Sequence, residues 1–298
     1  MSAVGYYKAL MNRGTPAPEL MLDAYASTIP TFSLNTCLKG GFIGEDAIIV
    51  VEDDGATYPE RTYAFQSDGT LPISTIESDL GSNDGRLKRI YAHNTTNYYE
   101  QTTLANMPYI ANAGTVVKDS KGNVAAEFKG SQFMQMPSSI ALFNAWHNGD
   151  SSAFFSVVEK NNGSANLSIC ANRNTSGGST GVNFWLRSSN RFLVSIYGGG
   201  SSKVFWSPSA VPNNDSRQVW IDLDVDNATA SDRAVLYSDG TQYTGNSTTG
   251  TPSIADANND MELGAYNGVT TLYQGYISAL GGFETDQSAN RVAILSYL

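Results

Sequence analysis

Along most of the chain, apolar and polar positions alternate in short runs, and stretches rich in Gly, Ser and Asn interrupt them. Alternation with a period of two marks strands that bury one face. It predicts strands at Thr115–Lys118, Val124–Phe128, Phe154–Glu159, Asn166–Ala171, Asn183–Arg187, Phe192–Tyr197, Lys203–Trp206, Val219–Asp226 and Arg233–Ser238. The breaks at Asn161–Ser164, Ser176–Ser179 and Gly198–Ser201 have turn chemistry. So many short strands in succession imply a sandwich or jelly roll.

The first hundred residues are patterned differently. Val4, Tyr7, Leu10 and Met11 recur at helical spacing until Gly14 and Pro16 stop the run. Pro18 suits the start of a second helix carrying Leu20, Met21, Ala24 and Tyr25. Strands are then expected at Phe32–Leu38, Ala47–Val51, Tyr58–Phe65 and Lys88–Tyr91, with turns at Glu52–Gly55 and Ser67–Gly69. Ser74 and Glu77 have the spacing of a capping box, which predicts a helix over 75–80. At the other end, Leu263–Tyr266 and Leu272–Leu280 read as neighbouring strands of a curved sheet. Asp286 is placed to cap a closing helix. Three parts are therefore expected: a helical arm over 1–28, a small α/β region over 29–100 packed on the sandwich, and a jelly roll over 101–298.

Composition narrows the function classes. The 298 residues are 41% hydrophobic and only 15% charged, with sixteen Tyr, twelve Phe and four Trp. A surface carried by Asn, Ser, Thr and Gly is common in extracellular and virion β proteins. A net charge of −10 argues against nucleic acid, since phosphate neutralisation needs clustered Lys and Arg. No apolar stretch is long enough to span a bilayer, and the N-terminus lacks the pattern of a signal peptide. Cys37 and Cys170 have no CxxC or His partner spacing and are expected to be buried, reduced thiols.

The C-terminal segments Leu263–Tyr266, Leu272–Leu280 and Glu284–Leu298 resemble the ending of the concanavalin A-like (laminin G-like) jelly rolls found in many phage virion proteins. Leu20–Tyr25, Phe32–Leu34, Ile48–Asp54, Ile90–Asn94, Tyr98–Gln101, Met107–Ile110 and Ala125–Gly130 follow, in order, a recurrent phage module. That module is distantly similar to the catalytic domain of α-L-arabinofuranosidase B. Ala92, His93 and Asn94 stand where the module has Asp, Gln and Ser, so any site built on those residues is altered here. The resemblance implies a mainly β fold: a concanavalin A-like antiparallel sandwich with short N-terminal helices and a C-terminal helix.

Catalytic patterns are sparse. A glycosidase needs two carboxylates flanking the scissile bond; the nearest strand-type match, Glu284–Ala289, lacks its last Glu and reads as a helix cap. Gly177–Gly181 matches Gly-x-Ser-x-Gly but has neither the flanking strand and helix nor an evident His base. Asp222, Asp224 and Asp226 suggest a metal string, and Ca²⁺ is the ion they suit. The EF-hand Gly and Glu are missing, and strand alternation explains the three by pointing them at water. Sugar binding asks for an aromatic platform beside hydrogen-bonding groups. Trp146, His147, Trp185, Tyr197, Trp206 and Tyr266 are the candidates, each also suited to packing. The expectation is a non-enzymatic virion protein, a tail or capsid-decorating component that contacts a host-surface glycan. It would be attached to other virion proteins through residues 1–28 and assembled as a homo-oligomer. An arabinofuranosidase-like glycoside hydrolase and a ligand-free spacer are the alternatives.

Overall fold

The computed structural model describes residues 20–147, 151–161, 166–173, 180–198, 201–206, 211–243, 246–247, 257, 259–267 and 271–298. The first expected helix, most of Gly177–Gly181 and Asn174 lie outside the described residues. Three short α-helices are present among them: α1 (Met21–Ala24), α2 (Ile73–Leu80) and α3 (Arg291–Leu295). The N-terminal strands are β1 (Phe32–Ser33), β2 (Asp46–Asp53), β3 (Glu60–Ala64), β4 (Asp84–Tyr91), β5 (Tyr98–Glu100), β6 (Tyr109–Asn112) and β7 (Thr115–Val116). Next come β8 (Ala126–Lys129), β9 (Met134–Gln135), β10 (Ser152–Lys160), β11 (Leu167–Ala171), β12 (Gly181–Leu186), β13 (Phe192–Gly198) and β14 (Ser201–Trp206). The last are β15 (Arg217–Leu223), β16 (Ala234–Ser238), β17 (Thr241–Tyr243), β18 (Asn246–Ser247), β19 (Glu262–Leu263) and β20 (Gln274–Phe283).

All the ladders between these strands are antiparallel. One layer runs β17–β16–β15–β10–β20, and β20 continues onto β8 and β1. The other runs β9–β19–β11–β12–β13–β14–β18. A small sheet, β3–β2–β4, joins them: β4 reaches the first layer through β6 and β8, and the second through β5 and β9. Mainly β, antiparallel and two-layered, the fold is the sandwich that the alternation predicts.

Alternation decides which side chains fill the space between layers. Phe154 of β10 and Phe184 of β12 meet there with ring centroids 3.8 Å apart and planes 9° from parallel. Trp146 closes the same cluster edge-on to both rings, and its Nε1 donates to the Ala153 carbonyl at 2.9 Å. Such ring pairs add about 0.5–1.5 kcal/mol beyond the area they bury.

All nine residues of β10 are buried, because the first layer is covered on its back as well. Phe155, Trp220 and Phe283 point away from the sandwich interior and pack under Met21, Leu22, Leu38, Ile294 and Leu295. The second half of the expected arm, residues 20–28, therefore packs on the body. The Leu22 amide donates to the Leu38 carbonyl, and the Ser27 hydroxyl to the Gly282 carbonyl. Gly282 is required at that point: a Cβ there would lie 2.3 Å from the Ala153 carbonyl oxygen and 2.7 Å from the Trp146 ring.

Two expected caps do not form. The helix over Ile73–Leu80 starts at Pro72, so Ser74 lies inside it, and Glu77 instead accepts the Val116 amide at 3.1 Å. The C-terminal helix starts after Asn290, while Asp286 accepts the Ser288 amide in a preceding turn. Both cysteines are unpaired and buried, and burial pushes the Cys37 thiol up to about 11. His93 is buried too; its Nδ1 accepts the Leu38 amide at 3.1 Å, and burial pulls its pKa down to about 3.

Candidate functional site

The back of the second layer is built differently from the back of the first. In β12, Val182, Phe184 and Leu186 enter the core, which turns Asn183 and Trp185 to the outer face. In β13, Phe192, Val194 and Ile196 are the core residues, so Leu193, Ser195 and Tyr197 face outward beside them. Pairing sets these into three parallel rows. The middle row carries Ala171, Asn183 and Ser195. On one side lies Ser168, Trp185 and Leu193; on the other, Gly181 and Tyr197.

A groove with a short polar floor and aromatic walls results. The floor is held by its own hydrogen bonds: the Ser168 hydroxyl donates to Asn183 Oδ1 at 2.9 Å, and Trp185 Nε1 to Ser195 Oγ at 3.1 Å. These bonds fix the Trp185 ring orientation, since an indole N–H inside protein seeks one partner. The second wall is reinforced by Arg173, just beyond β11. Its guanidinium stands 3.2 Å over the Tyr197 ring centroid and 5.5 Å from that of Tyr266. Trp185, Tyr197, Tyr266 and Arg173 are all half-buried.

Asn172 completes this corner. It is fully buried; its Oδ1 accepts the Val182 amide at 2.8 Å, and its Nδ2 has no hydrogen-bond partner among the described residues. The amide group lies against Gly181, whose imagined Cβ would sit 2.7 Å from Asn172 Oδ1. A donor left unpaired in this way costs about 1–3 kcal/mol, and a ligand oxygen would recover it.

Of the six aromatic and imidazole candidates, the structure brings Trp185, Tyr197 and Tyr266 together. Trp206 pairs with Leu193, next to the Trp185 row, and its side chain is outside the described residues. Trp146 and His147 are corrected: both are wholly buried, Trp146 in the inter-layer ring cluster and His147 against Asn144 at 3.0 Å, so neither forms a platform. Arg173, Asn172 and Asn183 were missed. Asn183 and Trp185 share the polar parity of an otherwise apolar strand, a signal that could have found the wall and floor together.

The acidic candidates serve structure. Asp222 accepts Trp220 Nε1 at 2.6 Å and faces Arg291 at 3.4 Å, and burial raises its pKa. Asp224 accepts the Asn227 side-chain amide at 2.6 Å, and Asp226 is exposed. Among the described residues no three His, Cys, Asp or Glu side chains are grouped to hold a metal. Glu284 accepts the Ser27 hydroxyl and the Thr28 amide.

No family model matches the chain, and no curated protein does. Solved structures do. A GH54 α-L-arabinofuranosidase soaked with a cyclic sulfate inhibitor matches with a TM-score of 0.62 at 11% identity, over 100% of this chain and 65% of that one. An arabinofuranosidase complexed with arabinofuranosyl-α-1,2-xylobiose matches with a TM-score of 0.56 at 11% identity, over the same shares. A Ruminococcus gnavus IT-sialidase CBM40 bound to α2,3-sialyllactose covers 58% of this chain and 95% of its own at 12% identity. Its TM-score of 0.45 carries no weight. The present chain thus spans 65% of the length of the arabinofuranosidases it resembles.

At these identities the likeness shows a fold, the β-sandwich of carbohydrate-active proteins. It also corrects one expectation. A non-enzymatic protein was expected because no catalytic pattern stands out in the sequence; yet the whole chain adopts the fold on which a glycoside hydrolase is built. None of the matched structures described above is a phage protein.

Proposed function

We propose that the protein is carbohydrate-active and holds a glycan in the groove on the outer face of the second layer. One observation carries this reading: Trp185 and the Arg173–Tyr197–Tyr266 stack wall a floor of Asn183 and Ser195 on one sheet face. Pyranose and furanose rings present C–H faces that pack on aromatic rings. Their hydroxyls pair with amides, hydroxyls and a guanidinium edge. A stacked Arg is preorganised for this, since its planar fork is fixed before the ligand arrives.

Hydrolysis of a glycosidic bond is a second reading, favoured by the position of Glu262. It pairs with Ala171 in the floor row and is 7% exposed, and Gln135 then Glu100 follow across the ladder. Two strand spacings separate the Glu262 and Glu100 backbones, about 10 Å, and paired carboxyl groups are what glycoside hydrolysis requires. Glu100 is engaged by Arg89, which keeps it ionised and suits it to the base or nucleophile role.

The virion setting that the phage resemblance implies belongs to this proposal, with residues 1–19 as the attachment segment and repeated copies in the assembly. The low-charge composition supports it. Purified protein is tested on a glycan array and for release of arabinose from arabinoxylan. Binding that disappears in Trp185→Ala supports the groove; sugar release abolished by Glu262→Gln supports hydrolysis. Full binding by Trp185→Ala contradicts the reading.

A further inference from the structure

The floor of the groove does not stop at β11. The ladder carries it onward, from Ala171 to Glu262, from Glu262 to Gln135, and from Gln135 to Glu100. Residues directly opposite across a ladder project from the same face. The intervening residues confirm the parity: Cys170, Leu263, Met134 and Tyr99 all enter the core. Ser195, Asn183, Ala171, Glu262, Gln135 and Glu100 thus form one line crossing six strands. Five strand spacings of about 4.8 Å make it about 24 Å long.

At its far end lies a cavity of about 300 Å³ lined by Glu100, Gln101, Thr102, Thr103, Asn106 and Gln135. Its wall is fixed in advance. Gln101 is 8% exposed, its Nε2 donates to the Phe133 carbonyl at 3.1 Å, and its Oε1 accepts the Thr103 amide at 2.9 Å. Phe133 and Pro137 add apolar surface beside these amides and hydroxyls. Hydrogen-bonding side chains around a small apolar patch are the chemistry that the aromatic end of the line also offers, with no clustered cation to call for an anionic ligand.

We infer that this cavity is a second glycan subsite, and that the ligand is a linear oligosaccharide lying across the strands from Trp185 to Asn106, not a single terminal sugar. The inference rests on the groove reading, and it names the substrate class of that site. A chain of several rings would bury its first ring between the aromatic walls. It would pass over Glu262 and place a distal ring against Gln135 and Asn106.

Titration of the full chain with arabinoxylan oligosaccharides graded from one to eight pyranose units tests this. Affinity is expected to rise about tenfold or more once the oligosaccharide is long enough to reach Gln135. Gln135→Ala and Asn106→Ala are expected to remove that rise and leave the shortest ligands unaffected, whereas Trp185→Ala weakens every length. Gln135 is exposed, so its replacement leaves the fold intact, which circular dichroism checks. Equal affinity at all lengths, with Trp185→Ala still damaging, overturns the second subsite and leaves the groove standing. Absence of binding at every length removes both.

Discussion

The two layers of the sandwich present the same kind of back, a run of outward-facing residues that includes a tryptophan, and the protein treats the two backs in opposite ways. Behind the first layer, Trp220 lies with Phe155 and Phe283 at centroid separations of 6.1–6.2 Å, and Ile294, Leu295, Met21 and Leu22 seal them. Behind the second, Trp185 stands half-buried among Asn183, Ser168 and Ser195. An aromatic among aromatics is a seal; an aromatic among short polar side chains is a surface for something polar on one side and apolar on the other. The comparison teaches that the company a tryptophan keeps on its own sheet face, more than the tryptophan itself, indicates its use.

Substitutions break this comparison in order of size. Trp220→Ala removes a wholly buried ring and is expected to lower unfolding free energy by about 3–5 kcal/mol, read from urea denaturation. Trp185→Ala is expected to reduce glycan affinity by about 2 kcal/mol or more, measured by calorimetric titration, and to cost less stability than the Trp220 change. If the two substitutions destabilise equally, the backs are not different in kind.

Acid should loosen the covered side before the groove. Unfolded His titrates near 6.5 and His93 in the fold near 3, so the unfolded chain takes up the proton first as pH falls. Stability is then full above about pH 6.5 and declines towards pH 3, by at most about 1.4 kcal/mol per pH unit from this group. Leu38, whose amide His93 accepts, is part of the seal over Trp220. Replacing His93 by Gln is expected to flatten that slope in thermal melts across pH 4–7; an unchanged slope assigns it elsewhere. The smallest effect is expected from Arg173→Lys. It keeps the charge but loses the flat stack on Tyr197, lowering affinity by about 1 kcal/mol with stability unchanged.

Sequence made the sandwich legible because period-two alternation and Gly-Ser-Asn breaks are local signals. In β12 and β13 the same alternation also told which residues face away from the core. It failed where the signal was not local. Trp146 sits in a short 3₁₀ turn, Asn144–Trp146, and no periodicity shows that such a turn folds under β10. Ser74 and Asp286 have capping chemistry, but Pro72 and Asn290 set where those helices begin. The row from Ser195 to Glu100 joins six strands whose pairing partners lie far apart in the chain, and only folding brings Gln135 beside Glu262. Arg173 lies beyond the end of its strand, and nothing in its neighbours announces Tyr197 or Tyr266 as partners.

The central claim is that Trp185, and not the buried tryptophans, meets a glycan. The indole N–H resonances of Trp146, Trp185 and Trp220, each held by a different acceptor, can be followed by NMR during titration with arabinoxylan oligosaccharide. The account predicts a progressive, saturable shift of the Trp185 signal while those of Trp146 and Trp220 stay in place. A saturable shift of Trp220 with Trp185 unmoved would contradict it.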